Sequence, residues 1–242
     1  MKKNVLRFIL FSLIFIVANN EINAQMHSNL WTRLTINKSL KKSIKADLEF
    51  QHRSQNGFKN NNLFSNNLLN SIRTWIIYQP SKHWQYSISP FAYFYHYPII
   101  NQLVDENKPY VNEYRISGAV DYQYEIKQKI YLQNRTGIEY RFFKQPLRDV
   151  IRFREKIGIK KDFSSKWSAM LSNELLLNFY GVNKQHFFDH NRVGFLLQYK
   201  PLKTMKIEFG YTYISRLQRT AIEYIQENNF ILNFTYLMQN KK

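Results

Sequence analysis

Residues 113–126 read EYRISGAVDYQYEI, and their order decides the fold. Glu113, Arg115, Ser117, Asp121, Gln123 and Glu125 occupy alternate positions, while Tyr114, Ile116, Gly118, Val120, Tyr122, Tyr124 and Ile126 fill most of those between. Side chains in a β-strand point to opposite faces in turn, so this is a strand with one polar and one apolar side. After a break at 127–129 the pattern resumes: Ile130, Leu132, Thr136, Ile138, Tyr140 and Phe142 oppose Gln133, Arg135, Glu139 and Arg141. The two runs predict a hairpin.

Working outward, the same period of two predicts strands at 30–37, 42–53, 68–79, 84–97, 150–160, 167–178, 190–199, 205–216 and 228–237. Connectors alternate in length. Short ones fall near 38–41, 80–83, 164–166 and 201–204, and longer polar ones near 54–67, 98–109, 180–189 and 217–227. Many of the strands exceed the five or six residues usual in globular sheets. Membrane-spanning strands need about 9 to 11 tilted residues, and outer-membrane barrels set short turns on one rim and long loops on the other. We therefore expect an all-β chain forming a single antiparallel transmembrane β-barrel of about 10 to 12 strands, an even number by the usual rule for bacterial barrels.

Aromatic girdles belong at both membrane interfaces of such a barrel. Trp84, Tyr86 and Trp167 near short turns supply one; Phe91, Tyr93, Phe94, Tyr95, Tyr97, Tyr140, Phe142 and Phe143 near longer loops supply the other. A soluble periplasmic lipocalin-like binding barrel also alternates, but it would turn the apolar set inward. Opposed charges at strand centres, as in Glu113/Arg115 and Arg135/Glu139, suit a wet lumen better than a core.

The start of the chain, MKKNVLRFILFSLIFIVANNEINAQ, has a basic head, an apolar run and a small residue at Ala24. This predicts a signal peptide over residues 1–24 and the barrel domain over 25–242. Of the 242 residues none is Cys, which removes disulfides, thiolate metal sites, a Cys nucleophile and a lipidated Cys. Net charge is +18 for the whole sequence. A basic exported barrel is expected in the outer membrane of a diderm bacterium, meeting membrane lipid, lipopolysaccharide and the outer-membrane assembly machinery, with no nucleic acid partner.

The chain resembles an uncharacterised family of exported barrels, the domain of unknown function numbered 2490. The resemblance rests on the Trp31 strand, Leu48-Glu49-Phe50-Gln51-His52-Arg53, Arg152-Phe153-Arg154, Phe188-Asp189-His190-Asn191-Arg192 leading into Gly194, and Glu208-Phe209-Gly210-Tyr211. It implies an outer-membrane-type barrel and brings no activity or catalytic residues with it.

Two sets of side chains are candidates for function. Lys45, Asp47, Glu49, Arg53, Glu113, Arg115, Asp121, Arg135, Glu139, Arg141, Arg152, Arg154, Arg192 and Glu208 are expected to face the lumen, with Arg73, Lys156 and Glu174 among their company. Such a population fills a small barrel with mutually neutralised charge or leaves a narrow, slightly basic passage favouring anions. The second set is His52-Arg53-Ser54-Gln55-Asn56-Gly57, which is similar to a stretch of outer-membrane phospholipase A. There a His two residues from a Ser takes the hydroxyl proton and an Asn, here Asn66 or Asn67, fixes the tautomer. That reading makes the chain a lipid hydrolase; the plainer one makes the stretch a polar strand end and the chain a non-enzymatic barrel with a structural, surface-binding or narrow-channel role. The other histidines lack metal-ligand spacing, and with seven Gly no phosphate loop is present, so neither metal nor cofactor is expected.

Overall fold

The computed structural model describes residues 26–144, 147–217 and 224–239, so the expected signal peptide lies outside the described residues. Among the described residues there are eleven strands: β1 (Met26–Lys41), β2 (Ile44–Gln55), β3 (Asn66–Tyr78), β4 (Trp84–His96), β5 (Val111–Lys127), β6 (Ile130–Phe143), β7 (Val150–Asp162), β8 (Trp167–Tyr180), β9 (Phe188–Leu202), β10 (Met205–Leu217) and β11 (Tyr224–Met238). Each pairs with its chain neighbours, and β1 meets β11 to close the barrel.

Eleven lies within the expected 10 to 12 and equals the number of period-two segments in the sequence; the count is odd, and only the even-number rule for bacterial barrels fails. Ten seams are antiparallel and the closing one is parallel, with Met26 opposite Gln226 and Lys38 opposite Met238. An odd meander must end this way, because its first and last strands run in the same direction. The chain accordingly enters β1 at the long-loop rim and leaves β11 at the short-turn rim. β1 also extends well beyond 30–37, since the polar His27, Ser28 and Asn29 belong to the ladder although they show no apolar alternation.

The parallel seam makes a direct prediction. Asn29 Nδ2 donates to Asn229 Oδ1 at 2.9 Å, so the two side chains touch across the closure. In this Cys-free chain, Asn29→Cys with Asn229→Cys is expected to cross-link on oxidation, giving a mobility change on a denaturing gel that reducing agent abolishes. Asn29→Cys with Asn233→Cys, out of register by four residues, is expected not to.

Parity carries the apolar face outward. Ile116, Ile138, Ile159, Leu171, Phe195 and Phe230 are all exposed large hydrophobics on the outside of the wall, while Glu113, Glu139, Arg152 and Glu174 are buried inside it. This is the reverse of what a soluble lipocalin-like barrel requires. Aromatic pairs mark both rims: Trp84 with Tyr122 (4.7 Å between ring centres) and Trp167 with Tyr199 (4.3 Å) by the short turns, Tyr95 with Tyr110 (4.4 Å) and Tyr140 with Phe142 (4.3 Å) by the long loops.

Phe94 is a correction to the girdle. Four residues of β4, Ser89 to Ala92, lie opposite three of β5, Ser117 to Arg115, so β4 carries a bulge at Pro90 and Phe91. Proline cannot donate to the ladder and is tolerated at such a bulge, where one extra residue reverses the alternation. Ser87 and Ser89 point inward before it; Ala92 and Phe94 point inward after it, and Phe94 is buried under Arg115.

Candidate functional site

The barrel interior is stratified by charge. Towards the long-loop rim, three carboxylates organise a dense ion network. Glu113 receives Nε of both Arg115 and Arg141 at 2.5 Å, with His96 Nε2 2.8 Å away. Glu139, 2% exposed, takes Arg152 Nη2 at 2.6 Å and Arg154 Nη1 at 2.7 Å, with Arg115 and Arg73 at 3.7 and 3.8 Å. Glu174 pairs with Arg154 at 2.5 Å and Arg192 at 3.3 Å. Buried charges persist only where such partners compensate lost hydration, so each carboxylate here is the condition for several arginines.

Below this layer opens a cavity of 420 Å³ whose lining is unequal in charge: Arg33, Arg53, Arg73, Arg115, Arg135, Arg152, Arg154, Lys156 and Arg192 against Asp47, Glu49 and Glu174. One wall stacks guanidinium groups on aromatic rings, with Arg53 3.6 Å above Trp31, Arg73 4.0 Å above Trp75 and Arg115 3.8 Å above Phe94. These contacts hold arginines in place without neutralising them. Towards the short-turn rim a second cavity of 220 Å³ shares Gln85, Arg135 and Lys156 with the first.

The opposite end is capped. Apolar side chains Val150, Leu176, Ile214 and Ile225 are buried near that mouth. The segment 97–110 is tied to the same end: Gln55 Nε2 donates to Pro98 O at 2.7 Å, and Ile100 N donates to Gln55 Oε1 at 3.2 Å, leaving Ile100 5% exposed. Its fold is organised by Asp105, whose carboxylate accepts Asn101 N at 2.9 Å and Gln102 N at 2.7 Å and pairs with Lys108 at 2.5 Å.

Burial opposes the charge on Asp105, but Lys108 and the two backbone N–H groups outweigh it and hold the carboxyl below its ordinary value of 3.8. A depressed acid contributes stability above its unfolded pKa and loses it as pH falls through the folded one. The cap is therefore expected to loosen in acid, below about pH 4. Asp105→Asn should weaken it at neutral pH by about 1–3 kcal/mol, the scale of losing charge-assisted hydrogen bonds. Faster proteolysis within 97–110 by the variant, with the rest of the barrel protected, is the measurement.

The sequence-derived residues take these places. Arg53, Glu113, Arg115, Arg135, Glu139, Arg141, Arg152, Arg154 and Arg192 lie inside, in the network or around the cavity. Asp47 accepts a hydrogen bond from Asn37, Glu49 stands 3.6 Å from Arg33, and Asp121 binds Arg135 at 2.6 Å. Glu208 pairs with Lys206 at 2.9 Å, and Lys45 Nζ donates to Gln79 Oε1 at 3.4 Å.

His52 lies on the outer face beside Leu34, Phe50 and Ile72. Its Nδ1 donates to Asn70 Oδ1 at 2.7 Å, which puts Asn70, rather than Asn66 or Asn67, beside the imidazole. Asn66 pairs with Gln55 at the start of β3. Ser54 is 4% exposed, next to an irregularity in the β2/β3 ladder between Arg53 and Ser54, and among the described residues no hydrogen bond joins it to His52. The structure thus brings a histidine and an amide together and leaves the serine apart. His190 is buried and accepts Arg192 Nε at 2.8 Å, while His186 lies in a short 3-10 turn at the rim.

Sequence reasoning passed over Trp31, Arg33, Trp75, Arg216 and Glu227 as interior residues. The signal was present: Trp31 and Arg33 share the parity of Asn29, and Trp75 shares that of Arg73. Arg216 Nε donates to Glu227 at 2.7 Å.

A closed wall, apolar outside and charged within, defines a transmembrane-type β-barrel. The family model described as "Protein of unknown function (DUF2490)" matches residues 28–239, and the chain belongs to that family. Among solved structures it is similar to the NanC porin, with 9% identity, 84% of this chain and 93% of that one covered and a TM-score of 0.48. It is also similar to an anion-selective porin from Comamonas acidovorans, with 8% identity, 81% and 53% covered and a TM-score of 0.38. The comparison with curated proteins finds no match.

Proposed function

We propose that the chain is an outer-membrane barrel of a diderm bacterium that acts as a narrow, anion-favouring channel, delivered by a signal peptide over residues 1–24. The observation that carries this reading is the lining of the central cavity, where nine cationic side chains stand with three carboxylates; Glu113, Asp121 and Glu139 behind the lining offset Arg73, Arg115, Arg135, Arg152 and Arg154, but Arg53 and Lys156 form no ion pair among the described residues. A lumen that merely neutralised itself would match the two signs. A surplus of fixed positive charge in a low-dielectric wall concentrates anions and repels cations. The ion network around Glu113 and Glu139 and the segment 97–110 make conduction small; a recess of 400 Å³ lined by Arg141, Asp189 and Arg216 lies at the long-loop mouth, against 220 Å³ towards the short turns. In the same reading, the outward apolar band meets membrane lipid and lipopolysaccharide, and the outer-membrane assembly machinery inserts the barrel.

Membrane fractionation and planar-bilayer recording on one preparation test it. The protein should travel with the outer membrane, shift on a detergent gel between unboiled and boiled samples, and give small unitary steps in potassium chloride. A soluble periplasmic form, or a folded and inserted barrel with no steps above baseline, overturns the reading.

A further inference from the structure

The cavity lining holds buried polar atoms whose hydrogen-bonding capacity is unused, and those atoms share one character. Trp31 Nε1, Arg33 Nε, Arg53 Nε and Arg73 Nη2 are all buried N–H donors without a hydrogen-bond acceptor. Arg73 Nη2 has at least the Glu139 carboxylate 3.8 Å away. Arg53 has less: its Nη2 donates to the neutral Gln51 Oε1 at 3.2 Å, and no carboxylate among the described residues forms an ion pair with it. A desolvated guanidinium without a carboxylate, beside an indole N–H without an acceptor, is a costly arrangement unless something supplies oxygen and negative charge.

The geometry brings these donors to one place. Trp31 is 6% exposed, Arg53 lies 3.6 Å over its ring, and the Arg192 guanidinium is 5.7 Å from the same ring. Arg192 retains one carboxylate, Glu174, at 3.3 Å. Two guanidinium groups thus flank one indole at the wall of a cavity that is open enough to admit a guest.

We propose that Trp31, Arg53 and Arg192 form a binding site for a small oxyanion, a carboxylate or a phosphate. Its oxygens accept hydrogen bonds from Trp31 Nε1 and Arg53, and Arg192 supplies the second positive charge. Oxyanions that present two adjacent oxygens, as carboxylates and phosphates both do, match the forked guanidinium, which a spherical chloride ion does not, so the site adds selection among anions to the general preference of the lumen. This inference rests on the reading of the lumen as anion-accepting, but it asks only for binding.

Titration calorimetry on the detergent-folded, full-length barrel, with inorganic phosphate and separately with acetate, tests it, using chloride as background salt. Phosphate binding stronger than acetate assigns the site to phosphate-type anions, and the converse to carboxylates; either supports the proposal. Arg53→Gln should weaken binding roughly ten- to a hundredfold, the scale of hydrogen bonds to a charged partner. Trp31→Phe keeps the ring under Arg53 and removes only the N–H; it should weaken binding severalfold and remains informative if Arg53→Gln fails to fold. Absence of heat with both anions at millimolar concentration, or equal affinity in wild type and a folded Trp31→Phe, overturns the site. A barrel that binds phosphate yet shows no unitary current would retain the site and refute the channel.

Discussion

Glu139→Gln should lower the stability of the folded barrel by about 3–5 kcal/mol, the cost of removing one partner from a buried ion pair. Glu139 is 2% exposed and stands within 3.8 Å of four arginines, with Arg152 and Arg154 closest at 2.6 and 2.7 Å. Glutamine keeps the volume and hydrogen-bonding shape but removes the charge, so that Arg73 loses its carboxylate and Arg115, Arg152 and Arg154 repel one another with one counter-charge fewer. The urea midpoint of the gel-shift transition reports the loss. Because the penalty belongs to the unpaired cations, adding Arg152→Gln should recover part of it, and the coupling identifies the mechanism. A midpoint unchanged by Glu139→Gln would mean that the network is solvated and structurally idle.

Shortening the cap should produce the largest change in conductance. Replacing residues 99–107 by a short Gly/Ser linker removes Ile100 from the mouth and the Asp105–Lys108 anchor, while leaving the strand ladder on both sides intact. Single-channel current is expected to rise severalfold, because pore dimension at a constriction governs passage. The ion layer around Glu113 and Glu139 remains, so anion preference should survive the opening. Unchanged current would place the constriction wholly in that layer.

Much of the wall was legible because a barrel strand writes its two environments in alternate residues. In EYRISGAVDYQYEI, Tyr114 and Ile116 face out while Glu113, Arg115 and Asp121 face in, and each is fixed by a partner on β6 or β4. Where the reading stopped, period two stopped carrying information. His27 and Asn29 of β1 are polar although they lie in the ladder, so contrast vanished at the rim. Pro90 and Phe91 reversed the parity of β4, and Phe94 moved inside with them. The eleven period-two segments already implied the parallel β1/β11 closure, because an odd meander brings its first and last strands together in the same direction; the even-number rule hid it.

The site was legible in part for the same reason. Alternation separates inward from outward charge, but it cannot tell which cations are neutralised. Arg154, bound to Glu139 and Glu174, and Arg53, stacked on Trp31 with a neutral glutamine, look alike in sequence. The His52-Arg53-Ser54 run is the converse case. Its spacing suggested a shared face, and the β1/β2 ladder runs unbroken past both residues, yet Ser54 is buried and His52 turns to Asn70, three residues beyond the nearest Asn considered.

The most direct test of the account is the reversal potential of the wild-type barrel in a planar bilayer under a potassium chloride gradient. A lumen whose lining sets nine cationic side chains with three carboxylates, and in which Arg53 and Lys156 form no ion pair among the described residues, predicts a potential of the sign set by chloride, and neutralising Arg53 or Arg135 should move it towards zero. A potential of the sign set by potassium would contradict it.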